Sequence, residues 1–382
     1  MASVAGFIAV ICGVFVYTYF AENADVRLSL DGGWEAVHVV AWSRDASIIA
    51  AVGTPAGGSE DASSAVVWSA HTGRVLFRPA QGKGNVEAIA IAPDNRNVAY
   101  IVSENGAVDV RKLVTARLPQ GEVESEDTLH CGFVSSLMYS PKGSRIAVIS
   151  DRILIWDTDQ RKVSDSLDIE RICFVFSARF VAENRLLVTC VSNDTLFIQE
   201  VGPGRTHAFP VPASPIAGMP VFSPNGMYLA YATVNTLFVR STTEFEPFSS
   251  FPALSHEQRL LSVSNDGSGV LLYDTIGTVF FISRTSGRSD TAAKGNRVVL
   301  REAVAAAGGP GSIASSPDGR QVAVPQPDKG LLLLFDASTG KKIAEIHHRE
   351  SVFHGPEFYT FQFTPDGSCT TMRKRIHVWK RY

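Results

Sequence analysis

Cysteine is scarce and scattered in this chain: five residues in 382, with no C-x-x-C spacing. That excludes paired-thiolate zinc sites and thioredoxin-type redox motifs, which need closely spaced thiols. Cys12 lies in an apolar amino terminus, and Cys131 and Cys369 are isolated. Cys173 and Cys190 fall on neighbouring strands of one expected hairpin, in diagonal register. A diagonal separation of about 7–8 Å is poor for a disulfide, so free thiols are the better reading. Charge is also sparse, at 19% Asp, Glu, Lys and Arg with a net value of −3. No global positive field exists to hold nucleic acid, and no nucleic-acid partner is expected. No nucleophile elbow, phosphate loop, HExxH or paired-cysteine ligand set occurs. The expectation is therefore no catalytic residue, no cofactor and no metal.

Basic residues are missing altogether before Arg27, and residues 1–21 (MASVAGFIAVICGVFVYTYFA) hold no charged side chain. About 20 apolar residues in a helix rising 1.5 Å each span the roughly 30 Å of a bilayer core. A cleaved signal peptide needs a basic start and small residues before the cut. Here Tyr19 precedes the Ala21 site and Glu22 the Ala24 site at the −3 position. The segment is expected to be an uncleaved single-pass anchor that places residues 2–21 in a membrane. The side on which the rest of the chain lies is left open. The competing structural reading is a buried strand pair, since Val14 to Phe20 is rich in β-branched and aromatic residues.

Apolar residues make up 45% of the chain, with 31 Gly and 19 Pro. That is a strand-rich globular composition with many turns. Eight short motifs of one kind recur: Ser43 (SRDAS), Ala92 (APDNR), Ser140 (SPKGS), Val181 (VAENR), Ser223 (SPNGM), Ser264 (SNDGS), Ser316 (SPDGR) and Thr364 (TPDGS). A period of roughly 40 to 50 residues with a turn at a fixed offset marks a β-propeller, one four-stranded blade per repeat. The unit is clearest at 133–167. FVSSLMYS reads as an inner strand, PKG as the turn, RIAVIS and RILIWD as the second and third strands, and KVSDSL as a polar outer strand. The chain ends after three strands of its last blade, and the missing fourth is available as residues 26–32 (VRLSLDG). Pairing them would close the ring and remove an exposed edge.

These turns, together with Ile155-Trp156-Asp157 and the Trp-Ser-x-x-Thr-Gly and Phe-Asp-x-x-Thr-Gly third-to-fourth strand connections, resemble the WD-repeat β-propeller family over residues 26–382. The fold class implied is all-β: a propeller of eight four-stranded blades, with seven as the alternative, preceded by one transmembrane helix. The domain division is an anchor at 1–21 and a propeller at 22–382. The Gly-His pair that opens a typical family repeat is absent nearly everywhere. Blade three comes closest to the family's internal hydrogen-bond set, with His130, Asp151 and Trp156 suitably spaced beside Asp157.

Each histidine has a plain structural explanation; His347, His348 and His354, the one cluster, read as a solvated loop. Glu122, Glu124, Glu126 and Asp127 read as a charged connection between blades two and three. The longest stretches outside the repeat are 54–64, 116–131, 208–220, 288–311 and 347–358. All are placed between second and third strands or between blades, connections that the resemblance puts on one partner-binding face. Aromatics there anchor interfaces most often, which selects Trp34, Phe353, Phe358 and Tyr359 as partner-binding candidates; the alternative is that they cap the ring's core. The function expected is a membrane-tethered, non-catalytic scaffold for protein partners. The alternatives are a ligand-binding or enzymatic propeller, Tol-type or similar, and a soluble subunit of a larger assembly.

Overall fold

A computed structural model describes residues 26–59, 62–79, 84–104, 109–168, 174–192, 195–202, 205–212, 220–223, 225–232, 236–243, 247–252, 259–273, 278–283, 296–304, 313–326, 331–337, 339–347, 360–372 and 375–379. Residues 1–25, and with them the expected anchor, lie outside this set. No helix among the described residues is long and apolar enough to cross a membrane.

The chain forms eight antiparallel four-stranded sheets, so the count of eight blades holds and seven does not. β1 (Val26–Asp31) precedes the first complete blade, which comprises β2 (Trp34–Trp42), β3 (Ile48–Pro55), β4 (Ser64–Ser69) and β5 (Val75–Phe77). Blade 2 is β6 (Asn85–Ile91), β7 (Asn97–Ser103), β8 (Val110–Arg117) and β9 (Glu122–His130). Blade 3 is β10 (Ser136–Tyr139), β11 (Arg145–Ile149), β12 (Arg152–Asp157) and β13 (Lys162–Asp168). Blade 4, with the most divergent turn, is complete: β14 (Phe174–Ala182), β15 (Arg185–Ser192), β16 (Thr195–Gly202) and β17 (Arg205–Pro212). Blade 5 is β18 (Val221–Phe222), β19 (Tyr228–Ala232), β20 (Thr236–Ser241) and β21 (Pro247–Pro252). Blade 6 is β22 (Arg259–Val263), β23 (Gly269–Tyr273), β24 (Thr278–Ser283) and β25 (Asn296–Val304). Blade 7 is β26 (Ala314–Ser315), β27 (Gln321–Gln326), β28 (Leu331–Asp336) and β29 (Lys342–His347). Blade 8 combines β30 (Thr360–Phe363), β31 (Cys369–Met372) and β32 (Arg375–Trp379) with β1, which pairs from Val26↔Trp379 to Asp31↔Arg375.

Strand burial follows from this stacking. Middle strands face a neighbouring blade on both sides and are buried along most of their length, as in β3 and β11. Outer strands alternate polar and exposed, as in β9 and β13. Apolar side chains therefore collect between blades. One cluster joins Val67 and Ala50 of blade 1 to Tyr100 and Val86 of blade 2, and another joins Leu30 and Ile376 of blade 8 to Trp34 and Trp68 of blade 1. Burying Leu30 of the closing strand, which is 1% exposed, contributes on the order of 1.5–3 kcal/mol.

Antiparallel pairing puts the first-to-second and third-to-fourth strand connections on one face, hereafter the turn face. The second-to-third and inter-blade connections lie on the other, the loop face. Most motif turns share one circuit. Asp45 accepts bonds from the Ser43 hydroxyl (2.7 Å), the Ser47 N–H (3.0 Å) and the Ser47 hydroxyl (2.7 Å), while Ser43 Oγ accepts the Ile48 N–H (2.9 Å). Asp266, Asp318, Asp366 and Asn225 repeat the pattern in their own turns. In the blade 3 turn Lys142 stands where the carboxylate should be, and Glu183 of the next blade supplies one instead. Its carboxylate accepts the Ser140 and Ser144 hydroxyls, both at 2.5 Å, the Lys142 N–H at 2.6 Å and the Ser144 N–H at 3.1 Å. The blade 4 turn has thus been recruited to complete its neighbour.

Candidate partner-binding site

Among the described residues, the loop face carries one clearly presented aromatic residue. Phe133 is 66% exposed, while Val134 beside it is fully buried. Sequence alternation places Phe133 on the inner strand of blade 3; that strand, β10, starts only at Ser136. The reason lies in two carboxylates that hold the approach to it. The Gly132 N–H donates to Asp151 Oδ1 (2.9 Å), and the Val134 N–H donates to Glu87 Oε2 (2.9 Å). Clamped on both sides, the chain turns Val134 and Cys131 into the core between blades 2 and 3 and leaves Phe133 outward. Both carboxylates are themselves fixed. Glu87 is buried against Arg111, whose Nε lies 2.8 Å from one carboxylate oxygen and 2.9 Å from the other. Burial alone would raise the pKa of Asp151, but the Gly132 N–H, Ser150 and Arg152 outweigh it and hold this group below the usual carboxylate range. Burial pushes the Cys131 thiol up. Val110, 37% exposed, pairs with the exposed His130 at the same end of blade 2.

The residues expected to form a partner site are distributed differently. Trp34 is 3% exposed. It packs edge-on against Trp68 and donates its indole N–H to Ser64 Oγ at 2.8 Å. Its role is in the core between blades 8 and 1, and it offers a partner almost no surface. Phe353, Phe358 and Tyr359 lie outside the described residues. Among the structural candidates, Trp156 is buried in the core between blades 2 and 3. Asp157 caps its own turn by accepting the Asp159 N–H (3.1 Å) and the Gln160 N–H (2.8 Å). His130 is exposed at the end of the outer strand, and Asp151 accepts the Gly132 N–H in place of a histidine partner.

Two readings of the connections need correction. Glu122, Glu124, Glu126 and Asp127 do not form a loop; they belong to the outer strand β9. There Glu124 pairs with Arg117 (2.5 Å), Glu126 with Lys112 (2.8 Å) and Asp127 with Arg161 (2.8 Å). The stretch 288–311 likewise contains strand β25, the fourth strand of blade 6, and its remaining residues lie outside the described ones. Among the described residues no group of three or more His, Cys, Asp or Glu side chains is placed to hold a metal ion. His348 and His354 lie outside them.

No protein-family model matches the chain, and no curated protein is detected as a relative. Among solved structures it is similar to the β-propeller domain of Cps50 (Swd1) from Myceliophteria thermophila. The superposition has a TM-score of 0.51 at 14% identity and covers 78% of this chain and 97% of that one. The fold is a WD40-like β-propeller. At that identity the likeness speaks to architecture alone, so the function has to be argued from the surface of this chain.

Proposed function

We propose that this chain is a non-catalytic WD40-like propeller that scaffolds protein–protein contacts through its loop face, with Phe133 as an anchoring side chain. Propellers of this kind generally bind protein partners, which supports the reading at the level of the fold. The observation that carries it is the exposure of Phe133 between two immobilised N–H groups. The backbone that carries Phe133 is fixed on both sides, so less ordering entropy is lost there on binding. We further propose that residues 2–21 tether the propeller to a membrane, a reading supported by their length and lack of charge.

The two parts are tested separately in the full chain. Phe133→Asp should abolish capture of a partner protein while leaving thermal stability and membrane retention unchanged. Changing Val10 and Ile11 together to Asp should release the protein from carbonate-washed membranes, because one central charge costs about 2.5–3.5 kcal/mol on insertion scales. Recovery of the wild-type chain entirely in the soluble fraction would refute the tether and leave the scaffold reading standing.

A further inference from the structure

The closing strand β1 starts on the turn face. It is the outer strand of blade 8, runs from Val26 to Asp31, and reaches the first strand of blade 1 through an inter-blade connection on the loop face. Val26, at its other end, pairs with Trp379, so the chain enters and leaves the propeller side by side on the turn face. Five peptide steps separate Val26 from Ala21, the last residue of the uncharged segment. They reach at most about 18 Å. The loop face lies a further strand length away, about 17 Å. An anchor ending at Ala21 therefore brings the turn-face rim of blade 8 to the bilayer.

The chemistry of this face suits a lipid surface. Seven large apolar side chains stand exposed among the described residues, and five of them are here: Val75, Val123, Val163, Ile343 and Met227. The first four occupy the turn-face end of an outer strand, and Met227 lies in the motif turn of blade 5. Strand propensity alone would scatter valines along an outer strand. In β9 and β13 the other exposed positions are polar, and the one exposed apolar residue stands next to the turn. An exposed cation precedes the apolar residue in three of the four strands, as Arg74, Lys162 and Lys342, while Glu122 takes that place in blade 2. Lys342 also pairs with Glu345 at 3.1 Å. Cations of this kind lay their stems on apolar surface and keep their charge among anionic head groups. Arg27 adjoins the entry point, and Lys380 and Arg381 follow Trp379 directly in the chain. Carboxylates of the same face, among them Asp45, Asp266, Asp366 and Glu183, are engaged by the donors of the motif turns.

We infer that the turn face docks on an anionic lipid surface, with Val75, Val163 and Ile343 at the interface and Phe133 facing away from it. The inference rests on the tether reading of residues 2–21, which supplies the attachment point. It leaves the loop face open to a partner outside the membrane.

The test uses the full chain reconstituted in vesicles of phosphatidylcholine and phosphatidylserine. A photoreactive phenylalanine analogue replaces Val75, Val163, Ile343 or Phe133, one position at a time; all four are exposed, so the variants should fold. Carbonate washing of an unirradiated sample reads membrane retention, and mass spectrometry after irradiation reads phospholipid adducts on the protein. Adducts are expected from positions 75, 163 and 343 and none from position 133. Vesicles of phosphatidylcholine alone should give about fivefold fewer, the factor expected of a single cation near an anionic surface. Protein lost from the washed vesicles would refute the tether, and the inference with it. Protein retained on them leaves the tether standing. In that case, adducts from position 133 equal to the others, no adducts from positions 75, 163 and 343, or the same yield in phosphatidylcholine alone would each overturn the inference.

Discussion

Glu183→Ala should destabilise blade 3 although the residue belongs to blade 4. The carboxylate accepts four hydrogen bonds from the Ser140–Ser144 turn, at 2.5 to 3.1 Å. Hydrogen bonds to a charged group contribute about 1.5–3 kcal/mol each in favourable settings. Here the side chain is partly solvated and the four share one acceptor group, so the sum is far from additive. An overall loss of about 2–3 kcal/mol is expected, which for a domain of this size lowers the melting temperature by roughly 3–4 °C. The pH dependence is specific. Burial alone would raise the pKa of Glu183, but Ser140, Ser144 and the turn's N–H groups outweigh it and hold the value below the ordinary carboxylate. Its contribution is present above the unfolded-state pKa and is lost as pH falls through the lower folded value. The difference between wild type and variant, measured by thermal unfolding, should therefore shrink on acidification below about pH 4. Lys142→Asp should rescue the variant, because it restores the in-turn carboxylate that Asp45 provides in blade 1. A Glu183→Ala protein as stable as wild type, or a double variant no more stable than the single one, would refute the reasoning.

Glu87→Ala removes the carboxylate from buried Arg111 and from the Val134 N–H. Breaking a buried pair costs about 3–5 kcal/mol, and a shift under about 1 kcal/mol in the denaturant midpoint analysis would show that the pair is not structural. His377 is held down to about 4, first by burial and then by the Arg375 charge. The folded state therefore binds fewer protons than the unfolded one between about pH 4 and 6.5, and stability should fall as pH is lowered through that window. The full effect is on the order of 3 kcal/mol at 1.36 kcal/mol per pKa unit. His377→Gln should flatten that part of the profile, and an unchanged slope would contradict it.

The ring is legible in the sequence because its signal is local. The motif turn needs a hydroxyl, a carboxylate and, at the fourth residue, positive φ, which Gly143, Gly226, Gly267, Gly319 and Gly367 supply. All of these lie within five residues of one another. What failed to read depends on distant partners. Phe133 lies in an alternating segment, and only Asp151 and Glu87, which are 19 and 47 residues from their N–H donors, turn it outward. The acidic residues of β9 look like a solvated loop until Lys112, Arg117 and Arg161 are brought beside them. Trp34 looks like an interface aromatic because the serine that satisfies its indole is 30 residues away. The same distance hides the part Glu183 plays in its neighbour's turn.

The central claim, that the Phe133 surface is where a partner docks, is tested most directly by site-specific photo-crosslinking in whole cells. A photoreactive phenylalanine analogue in place of Phe133 is compared with the same analogue in place of Val163, an exposed apolar residue on the outer strand β13 of blade 3. The account predicts a discrete crosslinked protein from position 133 and none from position 163. Equal crosslinking from both positions, or none from position 133, would contradict it.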